Sequence, residues 1–166
     1  MPKTGSNIDD TTGEDGNLRK GVAWPNPRFT VNGDETVTDN LTGLVWTQDA
    51  YLTQDDWTGA LDYVADMNAG THQNYGYTDW RLPNVRELQS LVHYGVCDPA
   101  VPNTEGTGKC TGTGDPFINV QSYGYWSSTT YAGSTDGAWV VSMSSGVVGY
   151  GTKSDYYYVW PVRGGQ

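Results

Sequence analysis

From Arg28 onward, apolar and polar residues alternate with a period of two. RFTVN and ETVTD flank Gly33-Asp34, which predicts a β-hairpin with Phe29, Val31 and Val37 facing inward. TGLVWTQ, residues 42–48, predicts a third short strand carrying Leu44 and Trp46. The period then changes. Trp57, Ala60, Leu61, Val64 and Met67 recur at three- and four-residue spacing up to Gly70, and Thr53 with Asp56 resembles a capping box, so a first helix is predicted. Asn84 as cap, Glu87 at its third position and the stripe Val85, Leu88, Leu91 and Val92 predict a second helix, entered at Pro83 and stopped by Gly95. Beyond Gly95 no helical period survives. YWSSTTY, AWVVSM and YYVWPV predict short strands separated by long loops. Strands, two helices, then strands again make an α+β domain over residues 21–166. Residues 1–20 form an acidic, turn-rich and flexible lead-in, ordered only where it docks. No repeat at solenoid or propeller period is present.

Composition narrows the function classes. The 166 residues suit one domain, and 17% charged residues with 36% hydrophobic ones fit neither a coiled coil nor a charge-driven disordered chain. A net charge of -10 removes the basic surface that nucleic-acid or anionic-membrane binding requires. No apolar run is long enough to insert into a bilayer, and Met1 opens no signal peptide. With 7 Trp, 12 Tyr and 22 Gly, the composition is that of secreted β-rich binding domains, so a secreted or cell-surface location is expected. Cys97 and Cys110 bracket the loop DPAVPNTEGTGK. A disulfide there would remove loop entropy worth roughly 3 kcal/mol, and the alternative is two unpaired thiols.

The residues that could carry chemistry point to binding rather than catalysis. His72 and His93 lack a nucleophile partner, so no enzyme activity is expected. Asp9, Asp10, Glu14 and Asp15 are the candidate calcium ligands, but their spacing lacks the order of an EF-hand loop; a solvated acidic tail accounts for them, and no cofactor is required. Trp80, Arg81 and Leu82 are read as structural, with Arg81 paired to an acidic neighbour. The informative segment is 123–158, which holds Tyr123, Tyr125, Tyr131, Tyr150, Tyr156, Tyr157 and Tyr158 among Ser, Gly and Asp. Tyrosine offers a large amphipathic contact at low entropy cost, and Ser and Gly adapt around it, as in antibody paratopes. Trp126, Trp139, Val141, Met143, Val159 and Trp160 alternate as core residues. Tyr150, Asp155 and Tyr156 are the expected contacts, shaped by Ser144, Ser145, Gly149 and Thr152. Val140, Ser142, Val147, Ser154 and Tyr157 complete the candidate ligand surface.

WRLPNVREL at 80–88 resembles the Lcl C-terminal domain family. So do NPRFTVNGDETVTDNLTGLVWTQDA, YWSSTTYA, AWVVSMSSG and YVWPVRGGQ, in the same order along the chain. The resemblance implies a C-type-lectin-like fold, with two helices packed on a twisted, mostly antiparallel sheet and long C-terminal loops as the ligand face. It implies an extracellular protein or glycan as partner, because the family's namesake ends a trimeric bacterial collagen-like adhesin that binds sulfated glycosaminoglycans. A homo-oligomer and a role as an adhesin or filament subunit fit that implication. This chain departs from the namesake: after Arg86 only Lys109, Lys153 and Arg163 are basic. Relatives of the formylglycine-generating type are oxidases with copper-binding cysteines, but Cys97 and Cys110 lie upstream of that position. Other relatives are variable proteins of diversity-generating retroelements, which rewrite adenine-rich codons near the end of the gene. Residues 140–157 fit that pattern, with Trp139, Met143, Gly146, Lys153 and Trp160 as its fixed frame.

Overall fold

The computed structural model describes residues 1–112 and 114–164. The remaining three, among them the Gly165-Gln166 end of the last family-like segment, lie outside the described residues. The order is α1 (Asp15–Leu18), β1 (Phe29–Val31), β2 (Thr36–Asp39), β3 (Val45–Thr47), β4 (Thr53–Asp55), α2 (Trp57–Ala69), α3 (Val85–Ser90), β5 (Gly124–Thr130), β6 (Gly137–Ser142), β7 (Val148–Thr152), β8 (Tyr157–Val159) and β9 (Val162–Arg163). The fold class is α+β, mostly sheet.

The strands form two sheets, ordered β1-β2-β3-β9 and β4-β8-β5-β6-β7. All pairings between them are antiparallel except β5 with β8. The predicted hairpin is β1–β2, with Phe29 opposite Asp39 and Val31 opposite Val37. Its turn needs Gly33 at φ +81°, where a side chain would be strained. Phe29 and Val37 are buried as expected, but Val31 is 46% exposed. It sits at the turn end of an edge strand, next to the hairpin loop.

Both helices form where the periodicity places them, with different caps. Helix α2 is capped by Asp56, whose carboxylate accepts from Gly59 N–H at 2.8 Å, and not by Thr53. Thr53 is taken by β4, where it pairs with Val159, a long-range demand that local pattern cannot reveal. Helix α3 has the predicted capping box: Asn84 Oδ1 accepts from Arg86 and Glu87 N–H, and Glu87 Oε2 accepts from Asn84 N–H at 2.8 Å. The helix ends at Ser90, short of Gly95, while Leu91 and Val92 continue into the core.

The second sheet separates two cores. On one side α3 and the first sheet enclose Trp46, Leu88, Tyr125, Val141 and Trp160; on the other α2 covers Trp126, Val140 and Val159 together with Trp80 and Leu82. Arg28 and Asp39 form a fully buried ion pair at 2.8 Å at the open end of the hairpin. The lead-in carries α1 and docks through Trp24 Nε1–H on the Lys3 carbonyl and Tyr94 N–H on the Thr4 carbonyl. Among the described residues no helix is long and apolar enough to cross a membrane.

The expected disulfide is absent: Cys97 and Cys110 are free thiols, the first exposed and the second buried. Backbone bonds hold their loop instead. Ala100 N–H reaches the Met143 carbonyl at 2.6 Å, Asp98 N–H the Ser144 carbonyl at 2.8 Å and Cys110 N–H the Val101 carbonyl at 2.8 Å, while Ala100 and Val101 are fully buried. Cys110 Sγ turns inward to the Phe117 carbonyl at 3.3 Å. Burial pushes its thiol pKa up.

Candidate functional site: a tyrosine-walled hollow on the last strands

Strands β5, β6 and β7 lie side by side, and residues directly opposite share a face. Val140 faces Gly149, Ala138 faces Gly151, and Gly124 faces Ser142. On this face lies an open hollow of about 260 Å3, floored by Val140 and Gly149. A Cβ built on Gly149 would meet nothing within 4 Å, so the floor is empty because that residue is glycine. Ser142 and Val147 close one end, and Tyr157 and Tyr123 form the aromatic wall.

Two other glycines make room for that wall. A Cβ on Gly124 would lie 2.5 Å from the Tyr157 ring, and one on Gly151 would also lie 2.5 Å from it. The ring therefore rests flat across the sheet, edge-on to Trp126 with centroids 4.7 Å apart and stacked on Tyr123 at 5.8 Å. Burial raises the Tyr157 pKa, and the Asp155 charge and Tyr123 add to the effect, so the phenol stays neutral.

Tyr150 points to the other face and stacks on Tyr131 at 4.2 Å and 7°, with Tyr131 edge-on to Trp139. Tyr123, Tyr150 and Tyr156 are each more than half exposed. Tyr125, counted with them in the tyrosine-rich segment, is fully buried, its hydroxyl accepting from Gln121 N–H at 2.8 Å.

The expected site residues thus divide. Val140, Ser142, Val147, Gly149 and Tyr157 gather at the hollow, and Tyr150 borders it while its ring lies on the other face. Ser144 and Ser145 occupy the β6–β7 turn, beside it in sequence but outside its lining. Thr152 ends β7, and Ser154, Asp155 and Tyr156 follow in the β7–β8 turn, where Asp155 accepts from Thr152 N–H at 2.9 Å. Tyr123 and Gly124 line the hollow without having been singled out. Alternation gave no signal for Tyr123: it would put that ring with Tyr125 on the opposite face, but Tyr123 precedes β5 and its ring stacks on Tyr157.

The frame under this surface is tightly held. Gly146 has φ +79°, and a Cβ there would lie 2.3 Å from Val92 Cγ1. Met143 and Trp160 are fully buried. Lys153 places its ammonium 4.0 Å from the centre of the Trp57 ring and donates to Thr130 Oγ1 at 3.1 Å. Lys109 donates to the Asp98 carbonyl and Arg163 pairs with Asp79 at 2.7 Å, so each basic residue after Arg86 is engaged within the chain.

The histidines are accounted for by packing. His93 is buried against Trp24, its Nδ1 accepting from Gly95 N–H at 3.0 Å, and burial lowers its pKa. His72 stacks on Tyr63 at the surface. In the lead-in, Glu14 accepts from the Asp10 and Thr11 amides and Asp15 from Thr4. Among the described residues no three His, Cys, Asp or Glu side chains gather as a metal site.

The family model of the Lcl C-terminal domain matches residues 35–163, which takes in α2, α3, the hollow and its frame. Comparison with curated proteins gives no match.

Proposed function

The chain belongs to the Lcl C-terminal domain family, and from that premise we propose that it is a non-catalytic, secreted or cell-surface recognition domain for an extracellular protein or glycan. The observation that carries this reading is the hollow itself: an uncharged floor left open by Gly149, beside a tyrosine wall that lies over Gly124 and Gly151 and packs on Trp126. A preorganised aromatic surface binds without first losing the freedom of its own side chains. With the nearby cations already engaged, neutral chemistry suits it better than sulfated polymers.

The division between frame and display also supports diversification of this face. Met143, Gly146, Lys153 and Trp160 are held by burial, backbone conformation or contacts, whereas Val147, Tyr150 and Tyr156 stand exposed. Substitution at the second group leaves the scaffold standing. No metal is required in this reading.

The test compares the wild-type domain with Gly149→Trp, which fills the hollow, on an array of glycans and displayed extracellular proteins, with and without chelator. Ligands captured by wild type in either buffer and lost by Gly149→Trp support the proposal. Equal capture by both proteins places recognition elsewhere, and capture abolished by chelator makes the site metal-dependent.

A further inference from the structure

Strand β7 ends the second sheet, and among the described residues no strand pairs with its outer side. The other sheet edges are covered or blunted. β1 is only three residues long, and the Thr104 carbonyl takes its first outward amide, Phe29 N–H, at 3.2 Å. β9 is closed by the Arg81 backbone, paired both ways with Val162 at 2.9 and 3.0 Å. β4 is three residues long and runs into Asp55 and Asp56. By contrast β7 spans five residues, VGYGT, with no charge, no proline and no bulge in its ladder with β6. An unprotected edge of this kind is a template for another strand.

Its register says which groups are free. Ser142 N–H bonds to the Val147 carbonyl at 2.8 Å, so the pairs 142–147, 140–149 and 138–151 are the hydrogen-bonded ones. The N–H and C=O of Val148 and Tyr150 therefore point outward, as those of Thr152 do. Thr152 N–H is already taken by Asp155, which limits the open run to Val148 and Tyr150.

We infer that this edge accepts an extended segment of a partner polypeptide as a sixth strand, pairing with the Val148 and Tyr150 backbone and placing one side chain over Gly149. The inference rests on the recognition reading above and assigns its ligand class. On the outer side Gly149 occupies a non-hydrogen-bonded position, where facing Cα atoms of an antiparallel pair approach to about 4.5 Å. The partner residue opposite it shares its face, so its side chain meets the hollow between Val147 and the Tyr157 wall. Main-chain bonds supply affinity and the hollow supplies the choice of side chain, which is apolar or aromatic because no charge lines it. A second copy of the chain would bring another charge of -10 to the same edge, so a different polypeptide, neutral or basic in its flanks, is the occupant that fits.

The probe is a displayed library of random linear peptides panned on the wild-type domain, with the best binder then measured by fluorescence polarisation. Tyr150→Ala removes the ring and keeps the amide, whereas Tyr150→Pro also removes the outward N–H, which an edge position tolerates. The expected result is enrichment of peptides with one apolar or aromatic anchor, a several-fold loss for Tyr150→Ala and about tenfold or more beyond that for Tyr150→Pro. Amide exchange at Val148 and Tyr150 in the wild-type protein should slow on binding, a readout independent of whether the proline variant folds. Failure to enrich any peptide, equal binding by the two variants, or unprotected amides overturns the inference. So does a dimer in sedimentation that Tyr150→Pro dissolves, since the occupant is then a second copy. If peptides fail while array ligands remain sensitive to Gly149→Trp, the edge assignment falls and the recognition reading stands. If Gly149→Trp changes no binding at all, both fall.

Discussion

Arg81 holds Glu87 through two hydrogen bonds, Nη1 to Oε2 at 2.7 Å and Nη2 to Oε1 at 2.8 Å. The same carboxylate caps Asn84 N–H, and Arg81 Nη2 also reaches the Gly164 carbonyl, so one pair ties the start of α3 to the residue that follows β9. This is the acidic partner expected for Arg81. Burial works to raise the Glu87 pKa, but the Arg81 hydrogen bonds, the Asn84 amide and the Arg81 charge outweigh it and hold the carboxyl below its ordinary value. A carboxyl held low contributes stability that is fully present above the ordinary carboxylate range and is lost as pH falls through the lowered value. Glu87→Gln should therefore cost about 1–2 kcal/mol in urea unfolding at neutral pH. Its deficit against wild type should shrink on acidification, and a deficit that grows instead would contradict the assignment.

Gly146 and Gly149 lie three residues apart and answer oppositely to the same change. Gly146→Ala meets both a left-handed backbone and Val92 at 2.3 Å, and is expected to lose about 2–3 kcal/mol. Gly149→Ala meets open space and should change stability by less than about 0.5 kcal/mol. Thermal melts of the two variants check the difference. Equal melting temperatures would mean that the turn relaxes and is not the rigid support described.

The Arg28–Asp39 pair is sealed from solvent on both sides. Asp39 also accepts from Leu41 N–H at 2.9 Å and Thr42 Oγ1 at 2.8 Å, so its removal strands a buried guanidinium and two further donors. Asp39→Ala should destabilise by about 3–5 kcal/mol, measured by denaturant unfolding. A cost near zero would place the pair in contact with water.

The two cysteines should differ in accessibility. One thiol, Cys97, is expected to react with a disulfide reagent in the native protein, and Cys110 only after unfolding, since it is buried and its pKa is raised by burial. Two reactive thiols in native conditions would open the Phe117 loop. None in denaturant would show a bridge after all.

Local chemistry settled a large part of this protein. The Asn84–Glu87 capping box, the α2 stripe from Ala60 to Met67, the Gly33 turn and the burial of Trp126, Val141, Met143 and Trp160 all follow from spacing, because a helix or strand period states which residues share a side. The tyrosine-rich end reads as a surface from its chemistry and not its period, because Tyr among Ser and Gly suits contact. Which side is covered is a different matter, decided only when distant segments meet. Tyr125 is buried because it lies within β5, against Trp160 and against Tyr158 of the parallel neighbour β8; Tyr123 also touches Tyr158 but lies before the strand and stays exposed. Thr53 gave up its capping role to pair with Val159, and the cysteine loop needed no disulfide because it found hydrogen bonds on Met143 and Ser144. The hollow itself has no sequence signature. It exists because Gly149, Val140 and Gly124 come from three strands, and the ring of Tyr157 returns from a fourth to lie across them.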